Sequence, residues 1–477
     1  MKRKIVVLGG GPCGLSAAWE LSGKGYDVTV LEKNSGVGGL CMTREYLGYR
    51  FDLGGHRFIS ANKALVGRVR RMMGDELLTA ERKSVILQKG KTFQYPLCAR
   101  DLFTKIGFRT GLRAFLSYIK GMVAAGVLQK KDVSFDDWVT HRFGRILYEL
   151  FFGPYTEKVW GISPKLISSD WASQRISLLN LSEVFFRLMR LKRGTPRTYA
   201  RTYFYPRKGI GQIFDVMGSV IQQNGGRIVL NADVSDVEVS DGKVKKIRYK
   251  YQGSRREIDC DAVVSTIPLP DLIKTFPDDL VKEVKQHANS LTYRAIRFMN
   301  IFVDLPDVSG NTWMYVSEKK YIMTRIQEPK RRSPFNAPDG KTSLMLEIPC
   351  NANDALWNCD DAELFERCLA DLCELGIDVR GKVTGYFTSR VSHGYPVYKL
   401  DYRRHQEKLL SFLEQFENLI ACGRQGAFRY IFMDTAMEMG IAAAQRLVYE
   451  NPYNKEQIPF MRSEAGLLEK DFMAVSG

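Results

Sequence analysis

Paired cysteines are missing from this chain. Its nine cysteines are scattered with no CxxC, and the nearest two, Cys368 and Cys373, are separated by four residues. That pattern excludes a zinc site and a disulfide framework and fits reduced thiols in a cytosol. Long apolar runs are missing as well: the longest, 114–128, is broken by Lys120 and is too short to span a bilayer, so no transmembrane helix is expected. There is no internal repeat and no low-complexity tract. Acid is missing locally. Between 187 and 208 there are eight basic residues and no Asp or Glu.

What is present is an ordinary globular composition, 45% hydrophobic and 26% charged, able to bury a large core. A length of 477 residues suggests about three domain-sized units, fewer if segments interleave. Met1-Lys2-Arg3-Lys4 passes straight into an apolar stretch, so no removable signal peptide is expected, and the expected location is cytoplasmic. The formal charge of +17 accompanies no nucleic-acid-binding motif, which argues against a nucleic-acid partner. The 187–208 segment reads either as a solvated basic face or as a wall for a diphosphate or an anionic lipid surface.

The strongest signal lies in the first forty residues. An apolar stretch at 5–8 leads into Gly9, Gly11 and Gly14 in the order GxGxxG, and a second apolar stretch at 27–31 leads into Glu32. Gly9 permits a tight turn, Gly11 lets backbone approach a pyrophosphate, and Gly14 lets the following helix pack against the strand. The helix N-terminus then presents unpaired N–H groups to the phosphates, and Glu32 is placed to accept from a ribose hydroxyl. Gly36, Gly38 and Gly39 follow Glu32 directly, and Gly54-Gly55-His56 adds a second cluster of small residues. Such repeated backbone access suits a long, flat cofactor, so FAD is favoured over NAD. Cys13 sits within the glycine turn, where a small side chain simply fits, and no redox role is expected of it.

The remainder divides by pattern. Residues 102–191 carry apolar side chains at helical spacing, as in Phe143, Ile146, Leu147, Leu150 and Phe151. Within them, 102–128 is amphipathic with Lys105, Arg109, Arg113 and Lys120, compatible with packing on the core or with contact at a membrane surface. Strands are expected at 227–230, 234–239, 243–251 and 262–266, with Asp241-Gly242 as a hairpin turn. Val234 would return the chain to the cofactor. Further strands at 299–303 and 344–348 suggest a separate antiparallel sheet, covered by a helix near 362–374. A buried strand at 418–422, ended by Gly423, precedes a helix from Met433 to Val448, with Asp434 or Thr435 as its cap beside the flavin.

The expected fold is therefore α/β: a Rossmann-like FAD-binding domain with a parallel sheet and a βαβ start, plus a helical insertion and an antiparallel-sheet substrate domain. The FAD domain takes 1–60, 205–290 and 415–450, the insertion 61–204, the substrate domain 291–414, and a tail 451–477.

A family resemblance emerges from the later segments. Gly423-Arg424-Gln425-Gly426-Ala427-Phe428-Arg429-Tyr430-Ile431-Phe432-Met433-Asp434 resembles the C-terminal flavin motif of UDP-galactopyranose mutases. Tyr155-Thr156-Glu157-Lys158-Val159-Trp160-Gly161, Leu291-Thr292-Tyr293-Arg294, Thr324-Arg325-Ile326 and Tyr395-Pro396-Val397 continue that resemblance in order. The N-terminal half, with Gly38-Gly39 and 52–57, is equally similar to the protoporphyrinogen oxidase and amine oxidase group of FAD proteins. The resemblance implies that Arg325 and Arg424 lie near the flavin or a substrate diphosphate. It implies that Tyr395 and Tyr430 offer hydroxyls to the same anion and that Trp160 lines the substrate cleft, chemistry that suits phosphate oxygens. Arg175 matches an arginine of the mutases, but Ile176-Ser177-Leu178-Leu179 replaces the polar and aromatic stretch that follows it there.

No Ser/His/Asp arrangement, carboxylate pair or metal-ligand cluster is visible, as expected where a flavin supplies the chemistry. His56 either faces the flavin or is a satisfied structural histidine. With Arg325, Arg424 and Tyr430 it makes the candidate catalytic set. The expected activity is FAD-dependent hydride removal from an anionic glycoconjugate, a nucleotide sugar or polyprenyl-phosphate sugar of polysaccharide or cell-envelope synthesis, with the electron acceptor open. The alternatives are a non-redox sugar mutase using reduced flavin, or a dehydrogenase of a lipophilic substrate. A peripheral membrane contact through 102–128 and 187–208 accompanies the lipid-linked reading.

Overall fold

The computed structural model describes residues 2–95, 101–126, 130–176 and 202–448, with 102, 103, 125, 126 and 174–176 as backbone only. The 187–208 basic segment therefore lies outside the described residues up to 201, and so does the 451–477 tail.

A five-stranded parallel sheet forms the centre, in the spatial order Leu419–Ala421, Ala262–Ser265, Lys4–Leu8, Asp27–Leu31, Arg227–Val229. Its strands are short and apolar because both faces are covered, which is the setting where parallel strands lose their alternation. One face carries the helices Pro12–Gly23, Gln212–Gln223 and Met433–Val448, with Leu15, Ile213 and Met437 in a shared core. The other face carries an antiparallel meander, Ala232–Ser240, Lys243–Tyr251 and Ser254–Asp259. Asp241 and Gly242, both at positive φ, make its first turn as the Asp-Gly pair demands.

A second sheet of seven strands runs in the order Val383–Pro396, Tyr293–Val303, Thr342–Cys350, Arg325–Gln327, Trp313–Val316, Ser84–Gln88, Lys91–Gln94. It is antiparallel except where Trp313–Val316 pairs parallel with Ser84–Gln88. Helix Asp361–Glu374 covers it through Leu364, Cys368 and Leu372. The 61–204 stretch, read from its pattern as helical, thus also sends two strands into this sheet. A further strand, Leu77–Glu81, pairs with Thr202–Pro206. Its helical part, Phe108–Gly126, Phe135–Leu147, Gly153–Trp160 and Ser169–Ile176, forms its own aromatic core around Phe135, Trp138, Phe143 and Trp160. Ser134 and Asp137 cap the second of these helices reciprocally. Among the described residues no helix is long and apolar enough to cross a membrane.

Candidate functional site

A cavity of about 670 Å³ runs from the carboxyl ends of the parallel strands to the seven-stranded sheet and the helical insertion. Gly9, Gly11, Glu32, Gly39, Val234 and Met433 border one part of it; Gly55, His56, Arg325, Tyr395, Arg424 and Tyr430 border another.

The glycine turn is built around approach. A Cβ on Gly11 would meet nothing within 4 Å, so that residue faces open cavity. Pro12 opens the helix behind it, where its missing N–H is no loss. A Cβ on Gly14 would sit 2.0 Å from the Gly9 carbonyl oxygen, so Gly14 holds helix to strand and does not itself border the cavity. Gly38, with φ of 100°, donates its N–H to the Gly10 carbonyl at 2.8 Å and likewise stays behind the wall. Glu32 is 4% exposed and is aimed by its neighbours: Gly10 N donates to Oε2 at 2.6 Å and Asn34 N to Oε1 at 2.8 Å.

Arg325 reaches the cavity because Gly55 has no side chain; a Cβ there would stand 2.5 Å from the guanidinium. Glu347, 3.2 Å away and buried, pairs with it, and Tyr315 lies under it at 5.5 Å. Arg424 donates to the Gly394 carbonyl at 2.9 Å and stacks over Tyr430 at 4.3 Å and Tyr395 at 5.3 Å. Burial and the nearby Glu347 carboxylate raise the Tyr395 hydroxyl, which therefore stays protonated and can donate. The loop carrying His56 is anchored by Asp52, which accepts from the Tyr205 hydroxyl at 2.6 Å and Ile210 N at 3.0 Å and pairs with Arg332 at 3.4 Å. Burial, then Arg424, Arg332 and Arg325, lower His56 to about 3, so its ring is neutral near pH 7. Its Nδ1 is buried with no hydrogen-bond partner among the described residues.

Other expected residues fall elsewhere. Trp160 is 2% exposed and stands behind the wall, 5.8 Å from the Tyr395 ring and 6.1 Å from the Tyr430 ring. It buttresses two phenols and does not line the cleft. Gly423, at positive φ, packs on Cys13 below the cavity. Asp434 is buried in the first turn of a helix that begins at Met433, so the two expected caps, Asp434 and Thr435, are the second and third residues inside the helix and Phe432 holds the cap position. The Arg175 side chain lies outside the described residues.

The structure adds residues that sequence reasoning missed. Arg57 and Arg82 border the cavity with Tyr95, Tyr155, Trp313 and Tyr315. Arg82 lies 4.6 Å from the Tyr95 ring, and both arginines lie over Trp313. Burial and Arg82 lower Arg57 to about 10, so it remains a cation near pH 7, and its Nη1 has no hydrogen-bond partner among the described residues. Arg57 directly follows His56, which was a usable signal; Arg82, Tyr95 and Tyr315 had none.

The residues present fit a flavin dinucleotide. Gly11 leaves a space that a Cβ would occupy, Glu32 is held ready to accept from a hydroxyl, and the His56 Nδ1 atom and the Arg325 and Arg424 Nε atoms are buried along the wall without partners among the described residues.

The sequence profile described as flavin containing amine oxidoreductase matches residues 12–448. The phytoene desaturase of Fusarium fujikuroi is 23% identical across 73% of this chain and 66% of its own length, and a lycopene-forming phytoene desaturase of Pseudescherichia vulneris is 27% identical across 57% of each. The chain thus spans between 57% and 66% of the length of these relatives. Among solved structures, a reduced UDP-galactopyranose mutase superposes with a TM-score of 0.81 at 22% identity, covering 95% of this chain and 97% of that one. A protein from Exiguobacterium sp. 255-15 assigned by name only as a protoporphyrinogen oxidase superposes with a TM-score of 0.71 at 18% identity, covering 94% and 98%.

Proposed function

The chain belongs to the flavin-containing amine oxidoreductase family, its cofactor is FAD, and from that premise we propose that it oxidises an anionic, phosphate-bearing sugar conjugate. The observation that carries this reading is the arginine wall, in which Arg57, Arg82, Arg325 and Arg424 are four of the six described arginines that line one cavity. Arg325 has a carboxylate partner in Glu347, while the Arg57 Nη1 atom meets no acceptor among the described residues. Holding desolvated cations against a bare hydrocarbon is unfavourable, whereas phosphate oxygens satisfy them bidentately. The relatives named as phytoene desaturases imply a lipophilic substrate, and the apolar Ile86, Phe151 and Phe152 in the same wall suit a prenyl chain. A polyprenyl-phosphate sugar meets both demands.

When bound, FAD supplies the hydride acceptor. The arginines fix the phosphate, and Tyr395 and Tyr430, whose rings lie against Arg424, add phenolic donors. His56, neutral and with a low affinity for protons, orients a group by a hydrogen bond and does not store a proton.

The test mixes oxidised flavoprotein anaerobically with nucleotide sugars, polyprenyl-phosphate sugars and a polyene. Flavin bleaching by one phosphorylated member, with a product two hydrogens lighter, is expected. Arg57→Met should weaken that substrate by about 1.5–3 kcal/mol, or roughly 10- to 150-fold, with flavin content unchanged. Bleaching by the polyene alone overturns the reading. So does an isomer of unchanged mass formed by dithionite-reduced protein, which would establish a mutase.

A further inference from the structure

Helix Phe108–Gly126 is inside out for a helix of a water-facing surface. Its contact face is made of small residues: Gly111, Ala114 and Gly121 are buried, while Leu112, Phe115, Leu116, Ile119, Met122 and Val123 are each 40–57% exposed. The small face allows backbone contact with helix Phe135–Leu147. A Cβ on Gly121 would lie 2.5 Å from the Thr140 carbonyl oxygen, and a Cβ on Gly144 would lie 2.6 Å from the Ser117 carbonyl carbon. At 100° per residue the exposed apolar side chains fall in one stripe about 120° wide. Elsewhere among the described residues exposed large apolar side chains occur in ones and twos.

The charges beside the stripe identify what covers it. Arg109, Arg113 and Lys120 lie along one flank, all exposed, and Lys130 and Lys131 follow the helix. Residues 102–131 contain no Asp or Glu, and none of these five cations has an ion-pair partner among the described residues. A second copy of the chain docked on this face would set the acid-free segment against itself. An anionic bilayer surface takes both features at once: acyl chains accept the stripe and headgroup phosphates accept the flanking cations.

We propose that helix Phe108–Gly126 lies in the plane of an anionic membrane with its apolar stripe among the acyl chains. The chain is then held at the bilayer surface without spanning it. This does not rest on the reading of the cavity, and flavin content and substrate turnover in detergent-free solution are controls independent of it.

The experiment sediments the full-chain flavoprotein with vesicles of phosphatidylglycerol and phosphatidylcholine, and with phosphatidylcholine alone, at low and high salt. Binding to the anionic vesicles, weakened by salt and weak on neutral ones, is expected. The double variant Phe115→Glu, Leu116→Glu and the triple variant Arg109→Glu, Arg113→Glu, Lys120→Glu should each lose about tenfold or more of that binding. Both should keep the flavin spectrum and thermal midpoint, since every changed side chain is exposed. Wild-type protein that stays in the supernatant overturns the proposal, as does equal binding by the variants. A wild-type dimer that the Phe115→Glu, Leu116→Glu variant dissolves, with no vesicle binding, overturns it in favour of a second copy.

Discussion

Lowering the pH should weaken this fold through His56 in a way that can be isolated from every other titration. The ring is lowered from 6.5 to about 3 by burial and by Arg424, Arg332 and Arg325. A histidine depressed in the folded state binds its proton more readily when unfolded. The stability held by the neutral ring is therefore present above 6.5 and is lost progressively as pH falls from 6.5 toward 3. At pH 5 the unfolded ring is about one and a half pH units below its own pKa, and at about 1.36 kcal/mol per unit the folded state loses about 2 kcal/mol. The ring borders the cavity, so solvent there reduces that figure and does not enlarge it. The assay is urea unfolding at pH 7.5 and pH 5.0, with FAD at one fixed excess, for the wild type and for His56→Gln. Carboxylates and remote histidines titrate equally in both proteins and cancel in the double difference. The wild type should lose about 1–2 kcal/mol more than the variant between the two pH values. An equal loss in both would show that His56 is not held neutral, and the assignment of a non-protonating role would fall with it.

Gly11→Val should give folded, colourless protein: a Cβ there meets no protein atom within 4 Å, so only the cofactor is obstructed, and full flavin stoichiometry in the purified variant would refute the placement. Gly440→Ala tests the opposite kind of glycine. Its Cβ would sit 2.0 Å from the Cys13 carbonyl oxygen, forcing helices Pro12–Gly23 and Met433–Val448 apart, and a destabilisation of about 1–3 kcal/mol with weakened flavin retention is expected in thermal unfolding and absorbance. An unchanged midpoint would show that the two helices are not held at that distance.

The nucleotide-binding half of this architecture was legible because its signals are local. Gly9, Gly11, Gly14 and Glu32 lie within one βαβ unit, and the Asp241-Gly242 hairpin announces itself in two residues. The arginine wall was only half legible. Arg325 and Arg424 came from motifs, but Arg82 and Tyr95 reach the cavity because Ser84–Gln88 pairs parallel with Trp313–Val316, a pairing across more than two hundred residues that no local pattern encodes. Trp160 shows the converse. A tryptophan within a motif is equally at home as a ligand or as support, and here it packs against the rings of Tyr395 and Tyr430, which border the cavity while it does not. Asp434 lies two residues past the cap position, since a helix end is set by tertiary contacts as much as by capping preference.

The order of strands in the parallel sheet also governs how this protein can be made. Lys4–Leu8 leaves the ribosome long before its neighbour Ala262–Ser265, which follows about 250 residues later, with the edge strand Leu419–Ala421 later still. At about 5–20 residues per second, the first strand and the apolar face of its helix wait tens of seconds for their partners. Helix Met433–Val448, which closes over the Pro12–Gly23 helix at Gly440, follows all the other described elements. Nascent chains that stop short of Val448 therefore present an uncovered nucleotide-binding core, and their release before that helix docks yields aggregation-prone, flavin-free protein.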